Sequence, residues 1–153
     1  MKKTRVIRFW AITVLLLAVP ISNAVLWGQE LSKEGQETYI RAMTYFQKGD
    51  FDRAIAEANQ VIQLAPHNFR GYLVRGAAYI DKGEYDRAIA DLTQVIHWEP
   101  TLDADIYNQR GYAYFMKKDY DSAIADFEAC LRFNPNDLSA KQWIDAARQA
   151  RGR

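Results

Sequence analysis

The sequence predicts an all-α fold, an α-solenoid of three antiparallel helix pairs followed by a C-terminal capping helix. The first observation is a block that recurs, with Tyr45, Tyr79 and Tyr114 standing 34 and 35 residues apart. The second is the spacing of apolar residues within each block, which recur at i, i+3, i+4 and i+7 as on one face of a helix. A fixed period of this length indicates stacked helix pairs that share one continuous core.

The first 24 residues predict a secretory signal peptide. Basic residues up to Arg8 precede an apolar run over residues 9–19, and small residues follow up to Ala24. This order is typical of a signal cleaved after Ala24, with cleavage after Gly28 as an alternative. A further alternative is an uncleaved anchor over residues 9–27, although the uninterrupted run is shorter than the ~20 residues that span a bilayer.

Charge and cysteine content narrow the class of protein. The predicted signal carries four bases and no acid, so the rest of the chain has 16 bases against 19 acids and a net charge of −3. A slightly negative net charge over residues 25–153 argues against nucleic-acid binding. Cys130 is the single cysteine, which excludes an intramolecular disulfide. An export signal without disulfides favours the bacterial periplasm or cell envelope, the alternative being an inner-membrane anchor that faces outward.

After a polar connector over residues 25–34, each repeat follows the same plan of two helices. The first helices of the pairs are expected over residues 35–48, 69–82 and 104–117, and the second helices over 51–64, 85–98 and 120–133. The repeats that contain them span residues 35–68, 69–102 and 104–137. The step of 35 residues comes from one extra residue in the loop Thr101-Leu102-Asp103, where an insertion costs little.

The turn between the two helices of each pair has its own signals. Gly49 and Gly83 stand where a left-handed residue ends the first helix. The third copy has Lys118 there, at a cost of about 1 kcal/mol at most if the same backbone angle is kept. Asp50 and Asp119 are suitable N-cap residues for the second helix, and the corresponding glutamate of the second repeat is a poorer one.

Prolines and a terminal amphipathic segment complete the pattern. A proline follows the second helix of each pair, because proline cannot continue the hydrogen-bond ladder of a helix. Beyond the last proline, Asn136-Asp137 can cap a further helix over residues 138–150, with Leu138, Trp143 and Ile144 on one side. A final helix with one polar face is the expected cap of a repeat stack.

These landmarks resemble the tetratricopeptide repeat over residues 35–150. That family has a small residue at position 8 of 34, an aromatic residue at 11, alanine at 20 and proline at 32. The second repeat has Gly76, Tyr79, Ala88 and Pro100 at those positions, and the third has Gly111, Tyr114, Ala123 and Pro135. The resemblance implies a right-handed solenoid that binds a peptide or protein partner and performs no catalysis itself.

The resemblance also implies where a partner binds, on a concave groove lined by the first helices of the pairs. Exposed apolar and aromatic residues there usually mark a partner site. The alternative is that several of them, Phe46, Ile80 and Phe115 especially, pack against neighbouring helices or beneath the cap. The candidate groove residues are Tyr39, Met43, Phe46, Arg70, Leu73, Ala77, Ile80, Asn108, Tyr112, Phe115 and Met116.

One specialised form of the groove does not match. Chaperone-binding members of the family hold the terminal carboxylate of a peptide with lysine, arginine and asparagine side chains. The corresponding positions here are Tyr39, Met43, Val74, Asp105 and Gln109, none of which carries a positive charge. The charge-assisted clamp for a carboxylate is therefore expected to be absent.

No combination of residues predicts an enzyme, a cofactor, a metal or a small-molecule substrate. His67 and His97 lack a nearby cysteine or acid pair at metal-ligand spacing. Cys130 occupies a small-residue position of a helix, which indicates a buried and inert thiol. The sequence thus predicts an exported, non-catalytic adaptor. The alternatives are a scaffold that self-associates and a membrane-anchored assembly factor of the envelope.

Overall fold

The computed structural model describes residues 30–152, which form seven helices and no strand. The predicted signal peptide and residues 25–29 of the connector lie outside the described residues. The all-α solenoid of three helix pairs with a terminal helix is confirmed. The helices are α1 (Lys33–Gln47), α2 (Phe51–Leu64), α3 (Phe69–Asp81), α4 (Tyr85–Trp98), α5 (Ala104–Met116), α6 (Tyr120–Phe133) and α7 (Leu138–Arg151).

The second helix of each pair begins and ends at the predicted residues, because both ends carry strong signals. Asp50 and Asp119 accept hydrogen bonds from the third backbone N–H of α2 and α6, whereas Glu84 makes no such bond at α4. The first helices differ slightly from the prediction. The helix α1 starts two residues earlier than expected, because the Ser32 hydroxyl accepts a bond from the backbone N–H of Gly35. The helices α1, α3 and α5 also end one residue earlier.

The turn that joins the helices of a pair is left-handed in all three repeats. Gly49 and Gly83 have φ of 74° and Lys118 has φ of 65°. The lysine therefore keeps the backbone conformation of the two glycines, which the sequence had left open. A side chain with a Cβ is disfavoured in this region, so Lys118 introduces local strain.

We predict that Lys118→Gly raises the free energy of unfolding by a few tenths to about 1 kcal/mol, because it removes this strain. Urea denaturation followed by circular dichroism measures the change. The matched control is Lys48→Gly, at a helix end with φ of −83°. Glycine there relieves nothing and is expected to destabilise slightly. A loss of stability in Lys118→Gly would contradict the strain.

The order of contacts defines two layers. Each helix packs against its neighbours along the chain, and α1 also contacts α3, α3 contacts α5, and α5 contacts α7. Among the described residues, α2, α4 and α6 make no corresponding contacts with one another. The first helices and α7 therefore form the inner, concave layer of the stack, and the second helices form its outer layer.

Small residues allow the two helices of a pair to approach closely. A Cβ placed on Gly111 would lie 3.0 Å from the ring of Phe127, and one on Gly76 would lie 3.2 Å from the side chain of Leu92. Phe127 and Leu92 are fully buried, as are Ala123 and Ala88 on the same two helices. Burial of these side chains provides the main stabilising term of each repeat.

An ion pair between the two helices recurs in every repeat and was not recognised from the sequence. An arginine on the first helix meets an acid sixteen residues later on the second: Arg41–Glu57, Arg75–Asp91 and Arg110–Asp126, at 3.0, 2.7 and 2.7 Å. The last two arginines donate two hydrogen bonds to the carboxylate, which raises their pKa. They also reach the outer helix of the preceding repeat, at Asn59 and Thr93.

A second set of ion pairs joins successive repeats at the turns. A basic residue near the end of an inner helix pairs with an acid at the start of the preceding outer helix, as in Lys82–Asp52, Lys117–Asp86 and Arg151–Asp121. The three acids are exposed, so each pair contributes little alone. Their spacing follows the repeat, so they help to fix how neighbouring helix pairs align with one another.

Over residues 30–152, no helix is both long and apolar enough to cross a membrane.

Candidate functional site

The candidate site is a cavity of about 390 Å³ on the concave face. Its walls come from α1, α3 and α5, together with the loop between α4 and α5. The lining is mainly apolar, with carboxylates at one side. The lining residues are Tyr39, Met43, Phe46, Phe69, Leu73, Val74, Ala77, Leu102, Asp103, Asp105, Ile106 and Gln109.

Five of the candidate groove residues meet in this cavity: Tyr39, Met43, Phe46, Leu73 and Ala77. They lie on the inner faces of α1 and α3, the two helices that contact each other across the groove. All five are half-buried, so each has one side in the packed layer and another towards the cavity. The floor of the groove is therefore apolar, and Ala77 leaves space in it.

Two other candidates from the first two repeats lie elsewhere. Ile80 packs against the core cluster of Leu92 and Ile106. Arg70 lines a neighbouring hollow of about 310 Å³ near Glu30. Its guanidinium carbon lies 5.3 Å from the ring centre of the adjacent Phe69.

The candidates on α5 do not line the cavity, and two of them contact the capping helix α7 instead. The ring centres of Tyr112 and Phe115 lie 5.4 and 5.1 Å from that of Trp143, in edge-to-face contacts. Trp143 on α7 thus covers the part of the groove that the third repeat offers. Asn108 is half-buried and Met116 is exposed, and both lie outside the cavity.

Several lining residues were not predicted as groove residues, namely Phe69, Leu102, Asp103 and Ile106. Leu102 and Asp103 belong to the loop that carries the extra residue of the 35-residue step. The sequence signal was present, but it was interpreted as a tolerated insertion and not as a wall of the site. Leu102 is 41% exposed and stands at the rim of the cavity.

All five positions that correspond to the carboxylate clamp line the cavity: Tyr39, Met43, Val74, Asp105 and Gln109. The cavity therefore occupies the place where chaperone-binding members of the family hold a carboxylate. Its charged lining residues are Asp103 and Asp105, and no basic side chain lines it. The local charge is opposite to that of a clamp for an anion.

Cys130 offers no nucleophile. The residue is buried, and its pKa is raised above the usual value by burial and then by the nearby Asp137 carboxylate. The thiol donates a weak hydrogen bond to Asp137 Oδ2 at 3.7 Å. A thiol with a raised pKa is a poor nucleophile. Within residues 30–152, no three histidine, cysteine, aspartate or glutamate side chains are grouped to hold a metal ion.

Comparisons with known proteins give one consistent family. Two family models, both described as tetratricopeptide repeat, match residues 39–101 and 104–137. Together they extend over more than half of the chain. A search of curated protein sequences finds no significant match.

Solved structures of this family share the fold. The TPR domain of Arabidopsis OM64 is 21% identical, with a TM-score of 0.73 over 78% of this chain and 98% of that one. The TPR2B domain of yeast Sti1, in complex with pHsp70, is 27% identical, with a TM-score of 0.70 over 77% and 98%. The second TPR domain of human RPAP3, in complex with the HSP70 peptide SGPTIEEVD, is 23% identical, with a TM-score of 0.68 over 74% and 98%.

Proposed function

Since the chain belongs to the tetratricopeptide repeat family, we propose that it is a non-catalytic interaction module that binds a peptide segment of a partner protein. The observation that carries the proposal is the cavity on the concave face, with its apolar floor of half-buried side chains. Partly exposed aromatic, methionine and leucine side chains in a groove are suited to anchoring a peptide or a helix. Its volume of about 390 Å³ accommodates one or two side chains of a ligand.

The acidic tail peptides that relatives bind are poor ligands in this proposal. The HSP70 peptide bound by human RPAP3 ends in the acidic sequence EEVD. In the present chain an acidic end would approach Asp103 and Asp105 without meeting a basic side chain in the cavity lining. Like charges repel, and the cavity lining has no basic side chain that would compensate for the repulsion.

We predict that Ala77→Gln weakens peptide binding about tenfold, because the longer side chain fills the floor of the cavity. Short random peptides displayed on phage are selected on the full chain, and the affinities of the selected peptides are measured by fluorescence polarisation. Glutamine is a good helix former and neutral, so the fold and charge are expected to be retained. Ala90→Gln, at an exposed alanine on the outer helix α4, is the matched control and should bind as the parent does.

Two results would contradict the proposal. One is a selection that yields no specific peptide. The other is a set of peptides whose affinity falls equally in Ala77→Gln and Ala90→Gln, which would place their binding site outside the cavity or reflect a general loss of fold. Circular dichroism of both variants distinguishes these two causes.

We further propose that the module is exported to the bacterial envelope, on the basis of the basic and apolar order of its first 24 residues. N-terminal sequencing of the mature protein tests this. A start at Val25 is expected, and a start at Gln29 would fit the alternative cleavage site. An intact N-terminus on a membrane-bound protein would instead favour the uncleaved anchor, and an intact soluble protein would contradict export.

A further inference from the structure

The charge of the groove cavity distinguishes one class of ligand. We propose that the cavity binds a lysine or arginine side chain of a peptide segment, with apolar side chains next to it in the peptide. The inference rests on the proposed function and adds the chemistry of the ligand. Three observations support it: the carboxylates of Asp103 and Asp105 in the lining, the buried Oε1 of Gln109 without a hydrogen-bond donor, and the apolar surface around them.

The two carboxylates have no cationic partner within the described part of the chain. Asp103 Oδ1 accepts a hydrogen bond from the backbone N–H of Asp105 at 3.0 Å, as the N-cap of α5. Asp105 Oδ2 accepts one from Gln109 Nε2 at 2.7 Å. Neither acid takes part in an ion pair over residues 30–152, although several acids of the outer helices do. Both side chains are exposed, so a cation from a ligand can reach them.

Gln109 adds an acceptor that lacks a donor. Its Oε1 is buried and accepts no hydrogen bond from the residues that the structure describes. An unpaired buried acceptor is unfavourable, so a donor supplied by a ligand would favour binding. Because Nε2 is held by Asp105, a ligand that engages Asp105 is expected to shift the amide and bring a donor to Oε1. An N–H of a lysine or arginine can do this, whereas a carboxylate cannot.

The apolar lining suits the rest of such a side chain. The alkyl stem of lysine or arginine packs along apolar surface while its charged end remains near polar groups. Here the rings of Tyr39 and Phe69 and the side chain of Leu102 border the same cavity as the two carboxylates. Aromatic rings also attract a cation that lies over their face. Apolar neighbours in the peptide can then contact Met43 and Leu73.

The experiment compares the sequences and affinities of peptides selected from the random phage library on the full chain. Lysine or arginine next to leucine, isoleucine, phenylalanine or methionine is expected to be enriched. The double variant Asp103→Asn with Asp105→Asn is expected to weaken binding of these peptides about tenfold. Asparagine is as good an N-cap as aspartate and its amide oxygen can still accept from Gln109, so the change removes charge and leaves the fold. Asp145→Asn on α7 is the control, because it is an exposed acid that does not line the cavity.

Each other outcome has a distinct meaning. Neutral or acidic peptides that are weakened by Ala77→Gln, but not by the double variant, would overturn the inference and leave the proposed function standing. If no peptide of the library binds the chain specifically, both the inference and the proposed function are overturned. Selected peptides that contain the sequence Val-Leu-Trp of residues 25–27, which has no basic residue, would assign the cavity to the chain's own N-terminal segment. A concentration-dependent dimer that excludes peptides would assign it to a second copy, and either result overturns the inference.

Discussion

Replacing Phe127 with alanine is expected to lower the free energy of unfolding by about 3 to 5 kcal/mol. The ring is fully buried between α5 and α6, in contact distance of Gly111, and it stacks on Trp143 with ring centres 6.0 Å apart. Its removal leaves a cavity where the third repeat meets the capping helix. Urea denaturation monitored by circular dichroism measures the change.

The matched control for this prediction is Phe133→Ala, in the same helix. Phe133 is 44% exposed, and its ring centre lies 5.7 Å from that of Tyr107 in a tilted contact. Its loss is expected to cost about 1 kcal/mol, since less apolar surface returns to water. Equal effects of the two substitutions would contradict the account of the core, because the fully buried ring would then contribute no more than the exposed one.

Replacing Arg110 with alanine is expected to destabilise the protein by about 3 kcal/mol, the second of the large effects. The substitution removes two hydrogen bonds to Asp126, whose side chain is only 7% exposed, and leaves that carboxylate buried without a partner. Replacing both charged residues with apolar ones is expected to recover most of the lost stability. The variant Arg110→Met with Asp126→Leu tests this, because well-packed apolar residues can replace a buried ion pair.

The corresponding pair of the first repeat provides a control of the same chemistry. Arg41 is 48% exposed, and its partner is Glu57. No repeat precedes it among the described residues, whereas Arg110 also reaches Thr93 of the preceding outer helix. Arg41→Ala should therefore cost less than about 1 kcal/mol. A similar loss in both variants would contradict the role assigned to burial.

Most of the fold follows from local signals in the sequence. The second helices were predicted to the residue, because an aspartate or glutamate precedes the first residue of each helix and a proline lies just after its last residue. The left-handed turn at Lys118 was left open by the sequence, although its alignment with Gly49 and Gly83 marked the position. The start of α1 was missed by two residues, because the Ser32 cap precedes a stretch without apolar periodicity. The recurrent arginine–acid pairs could have been found from their constant spacing of sixteen residues.

The candidate site was only partly predictable. Five positions on α1 and α3 could be assigned, because those helices pack side by side in any stack of this kind. Arg70 and Ile80 of α3 could not, since they lie outside the cavity. Tyr112 and Phe115 could not be placed, since their surroundings depend on how α7 lies across α5 and where Trp143 then falls. The wall formed by Leu102 and Asp103 depends on the path of a loop, which residue periodicity does not determine.

The central claim is that the cavity between α1, α3 and α5 binds a peptide. The most direct test is a nuclear magnetic resonance titration of the isotope-labelled full chain with one of the peptides selected on phage. The largest shifts are expected at Met43, Leu73, Ala77 and Asp105, and they should diminish in Ala77→Gln. Shifts confined to the outer helices α2, α4 and α6, or unchanged in that variant, would contradict the claim.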